Sequence, residues 1–246
     1  MPTRLPSLRP TIAFAHRGAR AHAPENTIEA FELGLRLGAS GLESDVWITR
    51  EGVPILDHDG VVRRRLRKVP IASHALDELP EHIPTLGDLY DRCGVDFELS
   101  LDLKEEAAVE AVIEAALDAE QHSGEPVVSR LWLCLPDWEV LARWRERWPG
   151  VRLVNSTRLK DMGTSPERRG AQLSAAGIDC VNMHHSEWTG GLVTLFHRFE
   201  LYCFGWDAQL DRIIDELVDM GIDGVFSDHV DRLNDVWMRR FGHSPR

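Results

Sequence analysis

Thr11-Ile12-Ala13-Phe14-Ala15-His16-Arg17-Gly18 is the stretch on which the fold turns. Its first five residues read as a short apolar β-strand, and a histidine, an arginine and one glycine follow. An open, doubly wound α/β sheet usually places a glycine-rich phosphate loop after its first strand. Gly18 stands alone, with neither a GxGxxG nor a GKS/T sequence around it. Beyond it, short β-like runs alternate with helical patterns to the end of the chain, which predicts βα units and a parallel sheet. Strands are expected at 11–15, 41–45, 97–103, 131–135, 151–154, 179–182, 201–204 and 224–227. Each is trailed by a helix or by a connector long enough to hold one. The clearest helix is 105–120, and others are read at 27–37, 138–148, 192–197, 210–220 and around Val236. Eight is the number of strands that closes a (β/α)8 barrel.

The second strand is expected to run on into a hairpin, through Val46-Trp47-Ile48-Thr49, a turn at Arg50-Glu51-Gly52, and Val53-Pro54-Ile55-Leu56. The one long excursion, Gly60 to Gly94, carries turn signals and the basic run Arg63-Arg64-Arg65-Leu66-Arg67-Lys68. It is expected to project above the barrel rather than form a second domain, so the chain reads as one domain, 1–246, with its core from about 11 to 240. The length of 246 residues and 43% apolar content suit one large core.

Lys and Arg number 28 against 40 Asp and Glu, a net charge of −12. Such a surface repels a nucleic-acid backbone, so no nucleic-acid partner is expected and a phosphate-bearing substrate must find a local positive site. The basic run reads first as a solvated loop; contact with an anionic lipid surface is its alternative. Cys93, Cys134, Cys180 and Cys203 are far apart without a CxxC pair, which predicts buried, reduced thiols. Met1 to Pro10 has no apolar segment of a signal peptide, and the chain reads as soluble and cytoplasmic.

Side chains alternate along a strand, so Glu43 and Asp45 point the same way with α-carbons about 6.5–7 Å apart. Two carboxylates this close repel, which favours a cation between them. Asp102 and Lys104 repeat the spacing inside Leu99-Ser100-Leu101-Asp102-Leu103, where charge is costly unless paired or bound to an ion. Asp102 could complete an oxygen-rich site with Glu43 and Asp45, or pair with Lys104 alone. Carboxylate ligation selects Mg²⁺ or Ca²⁺ over zinc. His16 closes the first strand and His58 the hairpin, and both ends are expected on one rim. Imidazoles titrate near neutrality and can serve as acid and base. Arg17 offers a planar fork for phosphate oxygens, and Lys104 could reach the same group. Trp206 is read equally as an apolar wall or as core. Asn182, His184 and His185 read first as a solvated loop, with one of them facing the pocket as the alternative, and Glu25 and Asn26 as ordering their loop through side-chain to backbone hydrogen bonds.

These residues resemble the glycerophosphodiester phosphodiesterase family. The family's His-Arg-Gly, Pro-Glu-Asn-Thr, Glu-x-Asp-Val and Gly-x-x-x-x-x-His-Asp are matched by His16 to Gly18, Pro24 to Thr27, Glu43 to Val46, and Gly52 to Asp59. The likeness continues through Ile83-Pro84-Thr85-Leu86, Asp102-Leu103-Lys104, Trp206 and Gly221 to Asp228. The resemblance implies a TIM barrel and a divalent cation held by Glu43, Asp45 and Asp102. It also implies a His16/His58 pair that cleaves a small-molecule glycerophosphodiester to glycerol 3-phosphate and an alcohol. A lysophospholipase D-like or phosphatidylinositol-cleaving barrel is the alternative. Three departures stand out: Asp102 where the family usually has Glu, no Ser-Phe at 133–137, and Trp206-Asp207-Ala208 in place of Trp-Thr-Val.

Overall fold

The computed structural model describes residues 11–64 and 67–245. Eight parallel strands close on themselves in the order β1 (Ile12–Ala15), β2 (Gly41–Ile48), β6 (Glu98–Leu103), β7 (Leu131–Leu135), β8 (Arg152–Ser156), β9 (Cys180–His184), β10 (Tyr202–Trp206) and β11 (Gly224–Ser227). Closure comes from β1, which pairs with β11 on one side and β2 on the other. This is a TIM barrel, as the strand count predicts. Its interior is set by strand parity: Ile12, Phe14, Trp132, Cys134, Val154, Cys180, Phe204 and Phe226 point inward and form one cluster. Phe14 stacks on Phe226 with ring centroids 4.4 Å apart and meets Phe204 edge-on at 5.3 Å. Gly41 and Gly224 make room for these rings, because a Cβ at either would stand 2.5 Å from the Phe14 or Phe204 ring.

The outward-facing residues, such as Ala13, Leu42, Leu99, Leu101 and Leu133, pack against the helical ring in a second, larger cluster. That ring comprises α1 (Ile28–Arg36), α2 (Leu86–Cys93), α3 (Val109–Ser123), α4 (Trp138–Arg147), α5 (Pro166–Ala175), α6 (Gly190–Arg198), α7 (Asp211–Met220) and α8 (Val230–Phe241). Side chains accept the orphan amides at several N-termini: Thr27 for α1, Thr85 for α2, Asp137 for α4 and Ser165 for α5.

The excursion is shorter than expected. Its last part, Leu86–Cys93, is α2, the barrel's second helix, which packs against α1 and α3. What rises above the barrel is the antiparallel strand β3 (Pro54–Leu56), paired to the end of β2, and the hairpin of β4 (Val61–Arg64) and β5 (Arg67–Pro70). The hairpin sits on a small cluster of Ile55, Val62 and Ile71 against Trp47. Arg63, Arg67 and Lys68 are exposed on it, while residues 65 and 66 of the basic run, like the N-terminal 1–10, lie outside the described residues. Cys134, Cys180 and Cys203 are buried, Cys93 is partly so, and all four are free thiols. Among the described residues no helix is long and apolar enough to cross a membrane.

Candidate active site

Parity continues past the apolar plug. At the carboxyl ends of the strands the inward positions become His16 after β1, Glu43 and Asp45 on β2, Asp102 and then Lys104 from β6, Asn182 on β9 and Trp206 on β10. With Arg17 and His58 they line one open cavity of about 450 Å³. Catalytic sites of this fold form on that face.

The turn after β1 is built to place His16. Arg17 and Gly18 both take left-handed backbone conformations, φ 51° and 76°, and a Cβ on Gly18 would collide with the Ala30 backbone at 2.6 Å. The chain then folds back so that the Asn26 N–H donates to the Arg17 carbonyl (3.0 Å), and the Ser44 hydroxyl donates to Asn26 Oδ1 (2.8 Å). Glu25 accepts from the Arg17 guanidinium (3.2 Å) and holds Arg20 at 2.5 Å. The two residues hold the loop through side-chain to side-chain contacts and one backbone pair, rather than through the expected side-chain to backbone bonds.

The His16 ring is fixed at both nitrogens. Nδ1 lies 2.6 Å from Asp228 Oδ1, and Nε2 lies 3.7 Å from Glu43 Oε2. A carboxylate can only accept, so Nδ1 carries a proton, and in the neutral ring Nε2 presents its lone pair beside Glu43. Burial works against the imidazolium, but the Glu43 carboxylate and then Asp228 outweigh it, and the His16 pKa ends above its ordinary value. Glu43, 8% exposed, is pushed up to about 7 by burial, with His16 opposing and Asp45 adding to the rise. Its Oε2 also accepts the Arg17 N–H at 2.8 Å. His58 stands at the rim, two residues past β3, with its Nδ1 3.1 Å from Asp59.

Lys104 spans the other carboxylates: its ammonium is 2.7 Å from Asp45 Oδ1 and 2.5 Å from Asp102 Oδ2. Burial raises Asp102, and Lys104 counters it. The lysine therefore belongs to the acidic wall rather than standing free to meet a phosphate. Asp45 is 3% exposed, and its Oδ2 has no hydrogen-bond partner. Arg17 Nε, 3.4 Å away, is near enough for ion pairing but lacks hydrogen-bond alignment.

Glu43, Asp45 and Asp102 share one wall without closing into a tight cage, because the Lys104 ammonium lies between two of them. The tighter groupings of potential ligands among the described residues are elsewhere: His22, His229 and Asp231; His184, His185 and Asp207; and His197, Cys203 and Asp223. The acidic wall nonetheless fits a hard cation. All its donors are carboxylate oxygens, burial leaves Glu43 and Asp102 reluctant to ionise, and Asp45 Oδ2 is buried and unbonded.

Two expectations shift on the opposite wall. Asn182 and His184 belong to β9 itself rather than to a solvated loop, and Asn182 lines the cavity. Trp206 is at the rim rather than in the plug, with His184 edge-on at 4.6 Å and the Arg158 guanidinium 5.3 Å over its ring. Asp228 was not among the expected site residues. It lies 212 positions from His16, and only the closure of β11 onto β1 brings them together. Arg20, Ser100, Cys134, Ser156 and Asp207 also line the cavity without having been singled out as site residues.

A TIM barrel with histidines, carboxylates and cations gathered at its strand ends is the frame of a phosphoric diester hydrolase. The glycerophosphoryl diester phosphodiesterase family matches residues 16–232, and the chain belongs to that family and is an enzyme of this class. It is 27% identical over 263 residues to the probable glycerophosphodiester phosphodiesterase 2 of Mycobacterium tuberculosis, covering 93% of this chain and 91% of that one. Among solved structures it resembles a glycerophosphodiester phosphodiesterase from Thermotoga maritima, with TM-score 0.78, 23% identity, and 92% and 98% of the two chains covered. An Oleispira antarctica phosphodiesterase in complex with the product sn-glycerol-3-phosphate superposes with TM-score 0.76 at 21% identity, over 94% of this chain and 96% of that one.

Proposed function

We propose that the chain hydrolyses soluble glycerophosphodiesters to glycerol 3-phosphate and an alcohol, with His16 and His58 as the acid/base pair. The observation that carries this is the His16 ring, held with Nδ1 2.6 Å from Asp228 Oδ1 at the edge of a cavity that His58 also borders. One imidazole takes the proton of the attacking group, water or the substrate's own glycerol hydroxyl, and the other gives a proton to the leaving alkoxide; attack by the substrate hydroxyl leaves a cyclic phosphate that water then opens. Arg17 supplies positive charge beside the phosphate path, and Lys104, held by the acidic wall, would join it once its hold on the aspartates loosens. Glu43, Asp45 and Asp102 would hold the divalent cation, Mg²⁺ or Ca²⁺. When bound, the cation supplies Lewis-acid stabilisation of charge on the non-bridging phosphate oxygens, and Lys104 would yield part of its hold on the two aspartates.

A soluble substrate is favoured over a lipid one by the wall itself. Among the described residues, the exposed large apolar side chains, Leu76, Leu117, Leu210, Met238 and Phe241, do not line the cavity, so none of them offers acyl chains an apolar rim there.

The test is direct. Protein stripped with EDTA is given Mg²⁺, Ca²⁺, Mn²⁺ or Zn²⁺ in turn with a panel of glycerophosphodiesters, and glycerol phosphate is measured. Activity should vanish on stripping and return with Mg²⁺ or Ca²⁺. Replacing either His16 or His58 by Ala should lower kcat by about 10²–10⁴-fold, and near-normal rates in both variants would overturn the pair.

A further inference from the structure

Most of the charge in the cavity lies on one side: His16, Glu43, Asp45, Asp102 and Lys104 stand on or just after β1, β2 and β6, with Arg17, Arg20 and His58 beside them. Facing them, the inward positions of β8 to β11 are uncharged, Ser156, Asn182, Trp206 and Phe226, and the Asp207 carboxylate follows β10 at the rim. Ser156 and Asn182 are direct neighbours in the β8–β9 register, so their inward side chains share one level of the barrel. Asn182 is 8% exposed, and its Oδ1 has no hydrogen-bond partner although it borders the cavity. Its amide Nδ2 donates to Ser156 Oγ over a long 3.4 Å. Exchanging the amide's oxygen and nitrogen would still leave one polar atom unsatisfied. A buried polar atom without a partner is rare and calls for a ligand group that supplies one.

We propose that Asn182 and Ser156 form a hydroxyl-recognition subsite for a neutral polyol arm of the substrate, here the free glycerol hydroxyls. The inference rests on the glycerophosphodiester reading above. A phosphodiester has an anionic centre and two organic arms. With the phosphate on the charged wall, an arm that crosses the cavity meets the amide and the hydroxyl of the opposite wall. A glycerol hydroxyl donates to Asn182 Oδ1 and accepts from Ser156, while its carbons lie toward Phe226 and Trp206. An ammonium-bearing alcohol is a poorer occupant of this wall. Arg158 already covers the Trp206 ring, and the Asp207 carboxylate at the rim is engaged by His184 (3.2 Å) and Gln209 (3.1 Å).

The experiment compares glycerophosphocholine with its deoxy analogue, in which only the terminal glycerol hydroxyl is replaced by hydrogen and the hydroxyl beside the phosphate-bearing carbon is kept as a possible nucleophile, for wild type, Asn182→Leu and Ser156→Ala. Wild type should prefer the glycerol diester by about 10–100-fold in kcat/KM, through KM more than kcat. In N182L the preference should collapse towards unity. S156A should lose part of the preference, and it carries the test if N182L does not fold. A preference undiminished in both variants overturns the subsite. Calorimetric binding of glycerol 3-phosphate against propyl phosphate reads it independently of turnover: wild type should hold the former about tenfold tighter and N182L should hold both alike. Wild type that distinguishes these ligands but hydrolyses neither diester would overturn the enzymatic reading and leave the subsite standing; equal binding of both ligands by wild type would overturn the subsite.

Discussion

At the scale of single residues, the site depends on how each ionisable group is held. Asp228 touches His16, and in the proposed mechanism it acts through that ring, as a positioning residue. Its carboxylate accepts the Nδ1 proton at 2.6 Å, which keeps Nε2 free for proton transfer. An amide at 228 preserves the shape but can present N–H to Nδ1, favouring the wrong tautomer. Asp228→Asn should therefore lower kcat by about 10²–10⁴-fold with little change in KM. It should also shift the limb of the pH–rate profile that His16 governs to lower pH, because the carboxylate that helps raise the His16 pKa is gone. Unchanged kcat and profile would remove Asp228 from the mechanism. Most of this level was readable in the string. Period-two spacing places Glu43 with Asp45 and Asp102 with Lys104, and the His-Arg-Gly turn announces itself. Asp228 could not be read locally, since nothing near it in sequence signals a partner on the first strand. Nor could Lys104's double engagement, which needs the β2–β6 register that sets Asp45 opposite Asp102.

At the scale of elements, the barrel is held open for its aromatic plug by two glycines. Gly41 on β2 and Gly224 on β11 face Phe14 and Phe204, whose rings occupy the volume a Cβ would take. Ala at Gly224 forces those rings off their rotamers within a stack already closed by Phe226, and should cost about 1–3 kcal/mol, read as a lower urea midpoint at unchanged m-value. An unaltered midpoint would mean that the plug repacks without strain. The strands were legible because both faces are buried and bounded by turns. Helices were legible where an apolar stripe repeats, as in α3 and α7. Two escaped. The sequence of α2 lies behind the hairpin and its turn signals, so the composition of the whole stretch reads as loop although Thr85 and Asp88 form a capping box. In α5 only Arg169, Gly170 and Leu173 are buried, too thin an apolar stripe to stand out, even with Ser165 and Pro166 marking its start.

At the scale of the whole molecule, the two ends of the barrel do different work, and Glu98 at the lower end makes that separable. It sits at the amino end of β6, the same strand that carries Asp102 to the cavity at its other end, and accepts the Trp132 indole N–H at 2.7 Å. Burial raises its pKa above the ordinary carboxylate value, although the Trp132 bond and the charges of Arg130 and Arg152 pull the other way. A raised acid binds its proton more tightly folded than unfolded. Its contribution is thus fully present below the unfolded pKa and is lost as pH rises through the folded one. Above that pH the folded protein carries a charge it would rather not bury. Glu98→Gln keeps an acceptor for the indole and removes that charge, so the melting temperature should exceed wild type at pH 8, with the gap closing as the pH falls to 4. Turnover at saturating substrate should not change, because no lining residue of the cavity is touched. A lower melting temperature at pH 8 would mean that attraction to Arg130 and Arg152 outweighs desolvation at this position. Altered turnover would mean that strain at the floor of the barrel reaches His16 through the aromatic plug, and that the two ends are coupled.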